Sequence, residues 1–412
     1  MDPFDLKTRA LTRRALLGGA AFGGATMLAA PAWARVVDLP LYGGGGARET
    51  TASFPQKGNM ILQRTRPPLL ETPWEIFDKG VFTPNDQFYV RWHWAGIPDS
   101  VSVDTFRLKV HGNVERELSL SLSELVQKLP QIELAAVNQC SGNSRGLFDP
   151  RVPGAQWANG AMGNAKWTGF RLRDLLDSAG VKTGSVQVRF AGLEKPVIDG
   201  GPHFMKSLSI DHAQDGEVMV AYAMNGEPLP FLNGFPLRLI VPGWYATYWV
   251  KMLADIEVLD KPDENFWTKK AYLIPDTPGA NITPGEKDVK MIPINRMVPR
   301  SFFTNLVSGA SIKASAPNEV RGIAFGGDCR VAKVETSIDG GGSWQAAKLG
   351  PDEGKFGFRR WSTTIASSKP GDRLSVKVRC INANGQVQPD KSNWNPSGFM
   401  RNVVETIDLV AA

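Results

Sequence analysis

Two regimes of hydrophobic spacing divide this chain. Up to about residue 260, short apolar runs of mixed period are separated by glycine and proline. Period-two runs over 88–94, 106–110, 186–189, 218–222 and 237–241 predict strands. Ser121 and Glu124 form a capping-box pair that opens a predicted helix over 121–129. Leu172, Leu175, Leu176 and Ala179 share one face of a second helix over 170–179, which Gly180 stops. Beyond residue 299 the pattern turns to regular strands and tight turns: 331–338, the turn Asp339-Gly340-Gly341-Gly342 with Trp344, then 358–365 and 374–381. Such spacing predicts an immunoglobulin-like β-sandwich. The last run puts Cys380 on the face of Leu374, Val376 and Val378, whereas Cys329 falls in the opposite phase of its own run, so no disulfide is expected between them.

A chain of 412 residues exceeds one ordinary core. The expected organisation is a segment 1–34, a linker 35–56, a mixed domain 57–262, a proline- and charge-rich connector 263–290 and the sandwich 291–412. The fold class is α+β and β-rich, in keeping with 42 glycines and 29 prolines. Gly43-Gly44-Gly45-Gly46 has neither a strand before it nor Lys-Ser or Lys-Thr after it, so it reads as linker and not as a phosphate loop. Residues 1–34 read as a twin-arginine export signal: Arg13-Arg14 precede an apolar stretch, and Ala32-Trp33-Ala34 offers a cleavage site. The apolar stretch, about 15 residues, is short for a membrane span. Periplasmic destination, no stable membrane insertion and a cofactor inserted before export are the expectations. Losing four basic and two acidic side chains with that segment takes the net charge from +6 to +4. No block of like charge accompanies it, which argues against nucleic acid and leaves a mild attraction for anions.

The candidate chemistry centres on Cys140, in Asn138-Gln139-Cys140-Ser141-Gly142-Asn143-Ser144-Arg145, just after the apolar run Leu134-Ala135-Ala136-Val137. A thiol at a strand end beside a guanidinium is either a nucleophile or a soft-metal ligand. The four histidines, His93, His111, His203 and His212, lack zinc-site spacing, and there is no Cys-x-x-Cys-His for attached haem and no dinucleotide glycine turn. A metal held by one protein sulfur would need further donors from an organic cofactor.

The segment Cys140-Ser141-Gly142-Asn143-Ser144-Arg145 resembles the Cys-x-Gly-Asn-x-Arg segment of the sulfite oxidase family. Similar matches follow at 88–93, 160–167, 221–230, 234–238 with Lys251, and in the last domain at Arg321-Gly322, Asp339-Gly340-Gly341, Trp344, Gln388-Pro389 and Trp394-Asn395. The resemblance, closest to bacterial periplasmic sulfite dehydrogenases, implies a molybdopterin domain followed by a dimerisation domain. It implies Cys140 as sole protein ligand of molybdenum, Arg91 and Arg145 as the anion site, Tyr222 at the reacting groups, and His93 hydrogen-bonding the pterin or poising the anion site. Arg238 and Lys251 would hold the cofactor phosphate, with His203 and Lys206 as further cofactor candidates. Sulfite would be the substrate, a separate periplasmic cytochrome c the electron acceptor, and a homodimer the assembly, with no haem in this chain. Asn233 stands where some relatives carry histidine, Ser144 where many carry arginine, and Ser397 at a position basic in vertebrate enzymes. The related periplasmic methionine sulfoxide reductases and, from another class, a secreted immunoglobulin-like binding module are the alternatives. Metal content separates the enzymes from the module.

Overall fold

The computed structural model describes residues 35–366 and 369–412. The expected export signal at 1–34 lies outside the described residues. Among the described residues no helix is long and apolar enough to cross a membrane.

The strand Gln131–Gln139 is the spine of the first half. It pairs antiparallel along its whole length with Met162–Arg171, from Gln131 opposite Phe170 to Gln139 opposite Met162. That partner in turn pairs with Met219–Met224, which carries Arg238–Ile240 on its other edge. A second sheet runs Met205–Ser209, Gln187–Gly192, Leu253–Leu259, Leu108–Gly112, Leu118–Leu120, its one parallel contact joining Leu253–Leu259 to Leu108–Gly112. The helix Leu122–Lys128 has its capping box formed in both directions between Ser121 and Glu124. Leu172–Ala179 buries the four residues its periodicity selects and ends on Gly180 in the left-handed region.

Residues 35–56 correct the linker expectation. Val36–Asp38 and Ala47–Thr51 pair with each other and continue through Met60–Arg64 and Leu69–Glu71 to Val90–Arg91 as a five-stranded sheet. The four glycines supply the hairpin bend: Gly43, Gly44 and Gly45 all have positive φ. The expected strand at 88–94 shrinks to Val90–Arg91, at the edge of this sheet.

The second half is a two-sheet sandwich. Arg300–Phe303, Asn318–Phe325, Arg359–Ile365 and Lys348–Leu349 form one sheet; Ser311–Ile312, Glu405–Ala411, Arg373–Asn382, Val331–Ser337 and Gln345–Ala346 form the other. Strict alternation along Arg373–Asn382 buries Leu374, Val376, Val378 and Cys380 between them. Cys329 and Cys380 are both free and buried.

The halves are joined by an aromatic seam and by backbone. Trp74 and Phe77 meet Phe302 and Phe358 at ring distances of 5.3 and 6.0 Å, and Asp78 pairs with Arg321 at 2.7 Å. The amide of Val137, three residues before Cys140, donates to the Phe356 carbonyl at 2.9 Å. Phe77 is 1% exposed, so Phe77→Ala is expected to cost about 3–5 kcal/mol. Urea denaturation checks this; a loss below about 1 kcal/mol would show that the seam is not packed as a core.

Candidate active site

Cys140 follows directly on the spine strand, where pairing with Met162–Arg171 ends and the backbone turns. Its amide donates to Ala161 at 2.9 Å and its carbonyl accepts from Asn143 at 3.0 Å. Gly142 leaves room for the guanidinium here, because a Cβ would lie 2.5 Å from Nη2 of Arg145 and displace it. Ser144 adopts φ 68° and turns the chain so that Arg145 folds back beside the thiol. The opposing loop is held by the buried carboxylate of Glu71, which accepts from the amides of Ala158 and Gly160 at 3.3 and 2.9 Å.

Around Cys140 the fold gathers a cavity lined in part by Arg91, His93, Arg238, Lys251 and Tyr272. Arg91 and His93 lie two apart in extended chain and share this face, while Trp92 between them turns away and lays its indole 4.4 Å from Nζ of Lys251. Arg238 is buried between the indoles of Trp167 and Trp249, at 5.3 and 6.0 Å, and donates to the Asn233 carbonyl and to Asn138. Burial lowers its pKa to about 10 and that of Lys251 to about 7; nearby Glu194 opposes the latter shift. Arg145 is clamped on the other side of the thiol: Nε donates to the Ser397 carbonyl at 3.2 Å, Nη1 to Ala155 at 3.3 Å, and the guanidinium lies 5.2 Å from the Phe399 ring.

His93 hydrogen-bonds Tyr272 and lies near Glu194. Nε2 is 2.6 Å from the Tyr272 hydroxyl, Nδ1 is 3.6 Å from a Glu194 oxygen, and the ring stacks on Phe204 at 3.5 Å. Burial first, then the charges of Arg91, Lys251 and Lys206, hold its pKa well below the ordinary imidazole value, so the ring is neutral at pH 7. The tautomer that suits both neighbours keeps the proton on Nδ1, facing Glu194, and accepts at Nε2 from Tyr272. Burial raises the Tyr272 pKa, against the opposing pull of Arg91 and Arg145, and the phenol stays protonated.

Two expected residues are not at the site. The Tyr222 hydroxyl bonds to Gln131, at the opposite end of the spine strand from Cys140. Nine extended residues span about 30 Å, so Tyr222 does not reach the thiol. Tyr89 and Tyr272 line the cavity instead; the Tyr89 hydroxyl is taken by Asn138, and Tyr272, in the segment expected to be a mere connector, is the one beside His93. His203 is exposed, and the neighbouring Phe204 turns inward in its place. Lys206 is buried, donates to the Trp267 carbonyl and lies 5.6 Å from the Tyr272 ring. Sequence reasoning also missed Glu194 and Lys57; the latter is buried with Nζ bonded to the carbonyls of Asn85 and Phe88 and to Asn233. The three departures are absorbed structurally. Asn233 joins Lys57 to Arg238, Ser144 accepts from the buried Arg300, and Ser397 gives its carbonyl to Arg145.

Buried polar atoms without a partner are the best guide to what the cavity holds. Arg91 Nη1, His93 Nδ1, Ser141 Oγ, Arg238 Nε and Thr247 Oγ1 are all of this kind, and all five residues line it. Nearly all are hydrogen-bond donors, they accompany three cationic side chains, and among the described residues no carboxylate lines the cavity. The set fits an oxygen-rich anionic group that also offers a thiophilic metal to Cys140, as a pterin phosphate with a dithiolene-bound metal does.

Comparison with known proteins agrees. The family profile "Oxidoreductase molybdopterin binding domain" matches residues 94–267, and "Mo-co oxidoreductase dimerisation domain" matches 292–409. The chain is 31% identical to chicken (Gallus gallus) sulfite oxidase over 365 residues, covering 84% of this chain and 77% of the relative. It is 32% identical to mouse (Mus musculus) mitochondrial sulfite oxidase over 83% of this chain, and spans 64% of that relative's length, just under two thirds. The crystal structure of the sulfane dehydrogenase SoxCD from Paracoccus pantotrophus superposes with a TM-score of 0.72 at 21% identity, covering 100% of this chain and 99% of the other, which shows a shared fold.

Glu71 gives the site a pH-dependent support. Burial lifts its pKa from 4.5 to about 7, so the folded state binds its proton more tightly than the unfolded state does. The associated stability is complete below pH 4.5 and is lost as pH rises through 7. Relative to Glu71→Gln, the wild type is therefore expected to lose about 3 kcal/mol across that window. Denaturant midpoints of the two proteins at pH 4 and pH 8 check it; a constant difference between them would reject the shift.

Proposed function

This chain belongs to the sulfite oxidase family and binds the molybdenum cofactor, and from that premise we propose that it oxidises sulfite to sulfate in the periplasm. Electrons leave one at a time to a c-type cytochrome, and the molecule works as a homodimer. The observation that carries the reading is the convergence of a thiol, three cationic side chains and five partnerless buried polar atoms in one cavity.

When bound, the cofactor supplies a two-electron redox centre and transfers an oxygen atom. Cys140 presents its thiolate to the metal, and Arg238 and Lys251 hold the cofactor's phosphate, with Asn138, Ser141 and Thr247 as neutral donors. Their aromatic partners keep both cations in place: Trp167 and Trp249 for Arg238, Trp92 for Lys251. Arg91, shared by both cavities, and Arg145, in the second, bind the oxyanion. Arg91 Nη1 is free to donate, whereas Arg145 is fixed by the Ser397 and Ala155 carbonyls. Both guanidiniums keep a planar donor face matched to the oxygens of sulfite.

In the net reaction sulfite and water yield sulfate, two protons and two electrons. Tyr272 donates a hydrogen bond to the anion or to His93, and its hydroxyl is the group through which protons leave. His93 Nε2 accepts from it, and Glu194 beside Nδ1 fixes the tautomer in which that is possible. Because His93 is neutral, the route carries protons without adding a permanent charge next to Arg91.

Cys140→Ser is expected to leave a folded chain with sulfite-dependent cytochrome c reduction down by roughly 10³-fold or more, and with molybdenum no longer stoichiometric by elemental analysis. Substantial retained turnover would contradict the ligand role. Arg91→Gln removes a charge-assisted contact and should raise KM for sulfite roughly tenfold to hundredfold. A direct comparison of the two tyrosines completes the set: Tyr272→Phe should lower kcat roughly 10²-fold, while Tyr222→Phe stays within about twofold of wild type. The reverse ranking in steady-state kinetics would restore Tyr222 to the site.

A further inference from the structure

A second concavity shares Cys140, Arg91, His93 and Tyr272 with the first and holds about 340 Å³. Its floor is shared with the cofactor cavity, but its walls differ. Trp157, Trp267 and Phe399 line it, together with the apolar Pro67, Pro153 and Ala271. Arg145 lies against one wall and the exposed Arg64 stands at the rim, and no carboxylate lines the space. Its volume is within the range of pockets that enclose whole organic ligands. Sulfite has four heavy atoms and no apolar surface, so the guanidiniums at the floor suffice for it and the aromatic walls have nothing to bind.

We propose that the vestibule admits organosulfinates, R–SO₂⁻ with R a small aryl or alkyl group, and that the same centre oxidises them to sulfonates. This rests on the sulfur-oxidising reading above and extends its substrate class. A sulfinate keeps what that reaction uses, a lone pair on sulfur and anionic oxygens for Arg91 and Arg145, and replaces the remaining oxygen of sulfite by carbon. With its oxygens on the guanidiniums, the carbon substituent points outward along Trp267 and Phe399. In the balanced step, R–SO₂⁻ and H₂O give R–SO₃⁻, two protons and two electrons. One S–O bond forms, the S–C bond is kept, the protons go to solvent and the electrons go singly to a c-type cytochrome or to ferricyanide.

The test uses cofactor-loaded enzyme with ferricyanide as acceptor, and sulfite, methanesulfinate and benzenesulfinate as donors, with sulfonate products quantified by ion chromatography. Both sulfinates should be oxidised, benzenesulfinate with kcat/KM roughly tenfold above methanesulfinate because its ring covers the aromatic walls. Ala271→Phe, which fills the vestibule, should lower kcat/KM for benzenesulfinate at least roughly tenfold more than for sulfite. Independently of turnover, calorimetry should find benzenesulfonate binding more tightly than sulfate to the wild type and losing that advantage in Ala271→Phe. Sulfite oxidation without sulfinate oxidation overturns this inference alone, even where benzenesulfonate binds. Failure of sulfite and sulfinates together overturns the reading beneath it as well.

Discussion

Concentrated positive charge out of water governs this molecule. Arg91, Arg238 and Lys251 line one cavity and Arg145 closes in from the next, with Glu194 as the nearest buried opposite charge. Removing such groups from solvent is costly unless something replaces the lost hydration. Two devices do so in part: carbonyl oxygens, which accept from Arg145, Arg238, Lys206 and Lys57, and ring faces, which cover Arg238, Lys251 and Arg145. The remainder falls to the anionic cofactor and its substrate. Binding them turns an electrostatic liability into affinity.

What could be read in the sequence follows from range. The helix over Leu122–Lys128 and its capping box are local, and so is the alternation that buries Cys380 with Leu374, Val376 and Val378. The phase that puts Arg91 and His93 on one side of the chain is equally local, and the motif around Cys140 is contiguous. Tyr272 is the opposite case. It sits in a stretch without hydrophobic period and reaches the cavity because Leu273–Pro275 pairs with Met291–Pro293 and because its ring stacks on Phe399, 127 positions away. Tyr222 had the better motif and the wrong end of the strand. His203 lost to its neighbour Phe204, which turns inward and stacks on His93 just before the strand Met205–Ser209. Residues 35–56 looked like a linker because polar edge strands and a glycine hairpin carry little apolar signal of their own.

The comparison of family profiles divides the chain into a cofactor half and a dimerisation half, but the side chains ignore that division. Ser397 and Phe399 fix the guanidinium beside the thiol, Arg300 braces Ser144, and the Phe356 carbonyl takes the amide of Val137 on the strand that ends in Cys140. The reactive chamber therefore has walls from both halves. In evolutionary terms the two cannot be shuffled like independent cassettes: a swap of either half between homologues would have to carry the matching contacts across the junction, so selection acts on the pair as one heritable unit.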